Sequence, residues 1–252
     1  MANFPEEKVS IIIVTYNALD YVSKCVETVL ANTDPKHEII IVDNHSDKPT
    51  IDYLKSLKTY PNIKLILNSE NRLWSPGNNQ GLRASAEDAK FCLLLNSDVE
   101  IFKPNWLQEL QIPMYKYSNV AITGTQFNFL PIRPTYGAID GCCFLIRKTL
   151  IDQIGYLDEN YPWNGAGAIF TYNAWVKGWY FYHVDQPDLL IHYGKRSRIN
   201  NQIQLKNQKV DVKHIMYELG LKPRYDLFAY LNYKLNSFDI NKKLANYLKP
   251  IS

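Results

Sequence analysis

Three apolar runs constrain this chain more than anything else in it: Val-Ser-Ile-Ile-Ile-Val at 9–14, Glu-Ile-Ile-Ile-Val at 38–42 and Phe-Cys-Leu-Leu-Leu at 91–95. A strand with one wet face alternates apolar and polar residues. Runs this dense, two of them β-branched, read instead as strands buried on both faces. Between them, Leu19, Val22, Val26, Val29 and Leu30 recur at helical spacing, Ile51, Leu54 and Leu57 mark a second helix, and 63–67 makes a further strand. A polar, glycine-containing loop follows at 68–81 and runs into a helix around 78–86. The β-α-β-α-β-loop-α-β order predicts an α/β fold with a mostly parallel central sheet flanked by helices on both faces.

The second half is less regular. A helix is expected from Pro104-Asn105-Trp106 to about Tyr115, and strands at 120–125 and 141–146. The stretch 127–138 holds two prolines and a glycine and reads as a loop. A short helix at 149–154, a helix at 170–176 and short strands at 180–184 and 189–192 complete a first unit, residues 1–199. Residues 200–252 read as a helical C-terminal appendage. From Lys206 onward nine basic residues face four acidic ones, with Tyr and Leu interleaved. That suits a solvated helical cap or peripheral contact with an anionic membrane.

The 252 residues are 46% hydrophobic and 21% charged, an ordinary globular balance, and a net charge of +3 is too mild to imply a nucleic-acid partner. The N-terminal residues lack the basic start and apolar stretch of a signal peptide, and no apolar run approaches the ~20 residues of a membrane helix. Cys25, Cys92, Cys142 and Cys143 lack metal-site spacing and read as reduced core residues. A cytoplasmic location is expected, with the inner face of a membrane open to the basic tail. Oligomeric state is left open.

Chemistry gathers at strand ends. The run at 91–95 stops at Asn96-Ser97-Asp98, the strand at 38–42 at Asp43, and the first strand at Thr15-Tyr16-Asn17. In a parallel sheet these ends share one edge, where open α/β folds bind ligands. Asp98 there suits a divalent cation that holds phosphates; an Asx-type turn is the plain alternative. No Gly-x-Gly-x-x-Gly follows a strand and no P-loop motif occurs, so phosphates need another partner. Lys195-Arg196-Ser197-Arg198, beside His192, suits the growing charge of a leaving diphosphate, or is a solvated basic turn. Trp74, Trp163 and Trp175 are candidates to stack on sugars, with a core role the better fit for Trp175.

The motifs Ser10-Ile-Ile-Ile-Val-Thr-Tyr-Asn17, Ile39-Ile-Ile-Val-Asp-Asn44, Asn78-Asn79-x-Gly81, Leu93-Leu-Leu-Asn-Ser-Asp98, Asp140-Gly-Cys-Cys-Phe-Leu-Ile-Arg147, Ile154-Gly-Tyr-Leu-Asp158-Glu159 and His192 occur in an order that resembles family-2 glycosyltransferases, in particular a rhamnosyltransferase-like branch. The resemblance spans roughly residues 8–198 in matching order. It implies a GT-A fold, a nucleotide-diphospho-sugar donor, a glycan or glycolipid acceptor and a divalent metal, Mn²⁺ or Mg²⁺. Asp98 and His192 would then be the metal residues. Thr15, Tyr16, Asn17, Asp43, Asn71, Arg72, Asn78, Asn96, Ser97, Gly141, Arg196 and Arg198 would bind the donor.

One element of the resemblance is broken. Inverting transfer needs a base for the acceptor hydroxyl, and the family's acidic pair falls here on Ala166 and Gly167, which accept no proton. Asp140, Asp158 or Glu159 would supply the base instead, or the reaction would run without one. A third reading is a non-catalytic module that binds nucleotide-sugar or glycan. A nucleotidyltransferase is weakened by the lack of a glycine-rich basic loop near the N-terminus. The Gly165-Ala166-Gly167 stretch also suits close approach of backbone to a ligand.

Overall fold

Alternate residues of each apolar run enter opposite sides of one sheet. In the computed structural model, which describes residues 4–194, 216–217 and 220–251, Ile11 and Ile13 of β1 (Val9–Thr15) lie in one core cluster and Ile12 in another. Ile39 and Ile41 of β2 (Glu38–Asp43) separate from Ile40 and Val42 in the same way, as do Leu93 and Leu95 from Cys92 and Leu94 in β4 (Phe91–Asn96). Both faces of these strands are dry, so no polar alternation is needed.

The seven-stranded sheet has the order β11-β6-β10-β4-β1-β2-β3, with β3 at Ile63–Leu67, β6 at Val120–Gly124, β10 at Cys143–Arg147 and β11 at Tyr180–His183. All neighbours run parallel except β10, which is antiparallel to both β4 and β6. The helices α1 (Leu19–Ala31), α2 (Lys48–Ser56) and α4 (Trp106–Lys116) supply Val26, Leu54 and Trp106 to the first cluster. The helices α3 (Trp74–Arg83), α5 (Lys148–Ile154) and α6 (Ala166–Val176) supply Leu82, Leu150 and Phe170 to the second.

Two helices begin four residues earlier than their apolar spacing suggests. The first turn of α3 carries Trp74, Ser75, Pro76 and Gly77, and that of α6 carries Ala166, Gly167 and Ala168, so neither shows a stripe. Tertiary packing sets these starts. At Gly81 of α3 a Cβ would stand 2.3 Å from Ile12 Cγ2, so the glycine lets the helix lie directly on β1. At Gly167 the nearest atom to such a Cβ is Phe144 Cε2, 4.0 Å away, so that glycine marks no tight approach within the chain.

The stretch read as a loop is partly paired. The strands β7 (Phe127–Phe129) and β9 (Gly137–Ile139) form an antiparallel ribbon, and β8 (Ile132–Arg133) pairs with β13 (Arg224–Tyr225). Strands of two or three residues are too short to show a period in sequence. The C-terminal segment adds α7 (Leu227–Lys234) and α8 (Ile240–Leu244), and Ala229, Ile240 and Leu244 are buried in the second cluster. All four cysteines are buried and unpaired. Among the described residues, no helix is long and apolar enough to cross a membrane.

Candidate active site

A cleft of about 640 Å³ opens beyond the carboxyl ends of β1 and β4. Thr15, Tyr16, Asn96, Ser97 and Asp98 line it together with the β7–β9 ribbon, Asp140 and Gly141, and Gly165, Gly167 and Ala168 bring in the start of α6.

A small ladder makes the central pair. Immediately after Asp98 the chain forms β5 (Val99–Ile101), which sequence reading missed, and β12 (Leu190–His192) pairs with it antiparallel. His192 stands opposite Val99, and the Tyr193 amide donates to the Asp98 carbonyl at 3.0 Å. The imidazole therefore meets the Asp98 carboxylate, with Nε2 3.1 Å from Oδ1. Asp98 is only 7% exposed. Burial pulls the His192 pKa down, but the hydrogen bond to Asp98 and the charges of Asp98 and Asp140 outweigh it, so it stands above its ordinary value. Asn96 joins the pair: its amide nitrogen lies 3.3 Å from His192 Nε2, and its oxygen accepts from Trp74 Nε1 at 3.1 Å. On the outer side, Lys24 and Tyr193 both reach Glu100 and hold β12 against α1.

Asp140 faces this group. Its Oδ1 accepts from the Cys142 amide at 2.9 Å and its Oδ2 from Asn128 Nδ2 at 2.8 Å, which fixes the carboxylate at the cleft wall. Donor atoms of Asp140, Cys142 and His192 all lie within 4.8 Å of one another. Burial pushes the Cys142 thiol pKa well up, so it stays a neutral, soft group. The hard Asp98 carboxylate and the His192 imidazole beside it form a donor pair that fits Mn²⁺ or Mg²⁺.

Several sequence candidates are engaged by partners within the chain. Glu159 accepts from Asn79 Nδ2 at 2.8 Å and from Arg83 at 3.3 Å, and these donors hold its carboxyl below the usual range. Asp158 caps its own turn through the Asn160 amide at 2.9 Å. Neither lines the cleft, so of the three alternative bases only Asp140 is placed to act there. Asp43 is fully buried: its two oxygens accept from Thr15 Oγ1 and the Ser46 amide, both at 3.0 Å, so it braces the Thr15 loop from behind. Asn17 also works behind the wall, accepting from the Asp47 amide at 2.7 Å while its own amide donates to Ser46 Oγ at 2.7 Å. Asn78 is buried with its amide on the Trp74 carbonyl, and Arg72 is exposed outside the cleft.

Asn71 is different. It lines the cleft and its oxygen accepts from the Leu73 amide at 2.9 Å, while its buried Nδ2 has no protein partner. A buried donor without a partner is costly, and a ligand acceptor would satisfy it. Arg196 and Arg198 lie outside the described residues. Asn44, Asn128 and Tyr172 also line the cleft, and sequence reading did not single them out as site residues. Asn44 sits next to Asp43 at a strand end, so that position was the available signal. Asn128 lay in the stretch read as a loop and carried none. Trp74 and Trp163 are at the cleft and Trp175 is not.

The family model described as Glycosyl transferase family 2 matches residues 10–139. A low-salt glycan biosynthesis hexosyltransferase of Haloferax volcanii is 24% identical over 201 residues, 67% of this chain and 62% of the relative. A poly(ribitol-phosphate) beta-glucosyltransferase of Bacillus spizizenii is 32% identical over 189 residues, 68% of this chain and 30% of the relative. The chain thus spans less than two thirds of the length of these relatives. Among solved structures, a mannosyltransferase from Pyrobaculum calidifontis in complex with GDP-Man and Mn²⁺ superposes with a TM-score of 0.58 at 15% identity, covering 71% of this chain and 55% of that one.

Proposed function

The chain belongs to glycosyl transferase family 2 and has the GT-A fold, and on that footing we propose that it moves a sugar from a nucleotide-diphospho-sugar to a glycan or glycolipid hydroxyl. The observation that carries this reading is the Asp98–His192 pair, held at 3.1 Å in a cleft at the carboxyl ends of β1 and β4. That is where an α/β sheet offers a diphosphate a site.

In this reading Asp98 and His192 would hold a divalent metal, Mn²⁺ or Mg²⁺, which would supply positive charge toward the diphosphate. Thr15, Tyr16 and Asn71 contact the nucleotide from one wall, and Asp43 and Asn17 keep that wall in place. Asn71 gives its unpartnered Nδ2 to an acceptor atom of the donor. Arg196 and Arg198 remain candidates to neutralise the leaving group.

Asp140 is assigned the proton. The acceptor hydroxyl oxygen attacks the anomeric carbon, its proton passes to the Asp140 carboxylate, and the bond from that carbon to the diphosphate oxygen breaks. Among the described residues, Asp140 and Asp98 are the acidic side chains that line the cleft, and Asp98 is already paired with His192. Asp140 therefore takes up the task that Ala166 and Gly167 cannot perform.

The test is calorimetric donor binding with and without Mn²⁺, followed by transfer assays. Asp98→Ala is expected to abolish metal-dependent donor binding, and unchanged binding would refute the site. Asp140→Asn is expected to keep donor affinity within about twofold while kcat falls at least ~100-fold. Donor binding without turnover on any acceptor, in the unaltered chain, would point to a binding module.

A further inference from the structure

Exposed large apolar side chains are scattered singly over most of the molecule, but they concentrate along α7. Phe228 is 78% exposed, Leu235 75%, Leu227 57% and Leu231 46%. Their spacing puts them on one face of the helix, with Leu235 just past its end. Tyr225, in the strand before, is also exposed. The opposite face is seated through Ala229, which is buried, and through Tyr233, which is half exposed but stacks on Phe129 with ring centroids 4.2 Å apart. Asp226 caps the helix by accepting from the Ala229 amide at 3.0 Å and binds Arg133 Nε at 2.8 Å and the Tyr136 hydroxyl at 2.9 Å. The apolar face is thus presented outward by a fixed helix, and a contiguous face of this kind marks an interaction surface.

Charge selects the occupant. Lys222 and Arg224 stand exposed ahead of the apolar face, Lys234 at its end, and Lys242 and Lys249 beyond it. The nearest acid, Asp226, is buried and committed to Arg133 and Tyr136. Two copies of the chain meeting symmetrically through α7 would bring these cations against one another, which disfavours self-association. A surface that accepts leucine and phenylalanine and carries negative charge at the rim satisfies both features.

We propose that α7 docks on an anionic lipid bilayer, with Leu227, Phe228, Leu231 and Leu235 entering the acyl boundary and Lys222, Arg224 and Lys234 holding acidic headgroups. Phe129, which supports Tyr233 on the seated face, also lines the cleft, so the helix that carries the docked face rests on a cleft residue. The docking is independent of catalysis and stands or falls separately from the transferase reading.

Cosedimentation of the full chain with vesicles tests it, using phosphatidylcholine alone and an equimolar mixture with phosphatidylglycerol. The chain is expected to sediment with the mixed vesicles at low salt and to be released as salt rises. The double variant F228S/L235S should lose binding by at least an order of magnitude, with the melting temperature unchanged because both side chains are exposed. K222E/R224E should weaken binding by roughly fivefold or more for each residue changed. Failure to bind mixed vesicles at low salt, equal binding to both vesicle types, or full binding by F228S/L235S would overturn the proposal. So would a concentration-dependent dimer, seen by light scattering, that F228S/L235S abolishes.

Discussion

Replacing Gly141 with alanine tests how the cleft wall and the central pair are connected. A Cβ at this position would stand 2.7 Å from Trp74 Cζ2, 3.2 Å from Cη2 and 3.5 Å from Cε2. Carbon atoms pack best near 3.5–4.0 Å, so the indole edge must withdraw by about 1 Å. That ring is tied to the site through its Nε1, which donates to Asn96 Oδ1 at 3.1 Å. A retreat of that size stretches the bond to about 4 Å, beyond hydrogen-bonding range. The loss of one such bond, together with mild overpacking, gives an expected cost of about 1–2 kcal/mol. The effect should continue inward, because Asn96 also approaches His192. Urea unfolding followed by tryptophan fluorescence reads the stability. Mn²⁺-dependent donor binding reads the site, where an affinity loss of about tenfold is expected if roughly 1.4 kcal/mol reaches the pair. A Gly141→Ala chain with unaltered midpoint and unaltered donor affinity would refute the linkage from Gly141 through Trp74 and Asn96 to His192.

Other substitutions separate space from chemistry. Gly167→Ala meets nothing closer than 4.0 Å and lies inside α6, so it should stabilise the fold by about 0.5–1 kcal/mol in the same urea assay. A lowered midpoint would refute this reading of the space at Gly167. Buried His37 gives a pH dependence: its Nδ1 accepts from the Val9 amide at 3.0 Å and its Nε2 meets Glu6 Oε1 at 2.7 Å, while burial sets its pKa below 6.5. The fold therefore binds fewer protons than the unfolded chain near that pH. The stabilisation is whole above 6.5 and drains away as pH falls through the folded value. Read as the difference from His37→Gln, stability should fall as pH drops below 6.5, with a slope no steeper than ~1.4 kcal/mol per pH unit, and a flat difference would refute it.

The sheet was legible because burial on both faces leaves a direct trace. The runs ending at Val14, Val42 and Leu95 each fall within one residue of an observed strand end. Family resemblance placed Asp98 and His192 together, and the ladder between β5 and β12 gives the physical reason, which three-residue strands do not announce in sequence. What could not be read was the occupancy of each carboxylate. Asp43, Asp140, Asp158 and Glu159 look alike as letters, yet one is walled in by Thr15 and Ser46, one by Asn79 and Arg83, and one closes its own turn. Only the fold tells which acid still faces open space.

That distinction bears on the missing base. The start of α6 lies at the cleft, and a Cβ at Gly167 would displace no neighbour. The position that the resemblance gives to a carboxylate therefore has room around it at Gly167. Asp140 lies on the segment between β9 and β10, where Asn128 and the Cys142 amide hold it still. A base on that segment belongs to a different element than one on α6. Gly167→Asp then discriminates between the two geometries. With Asp140 as the working base, Gly167→Asp should leave kcat unchanged or lower it by crowding the acceptor, and the double variant with Asp140→Asn should stay inactive. Recovery of transfer in that double variant would show that the reaction still runs from the α6 side, with Asp140 serving only to shape the wall.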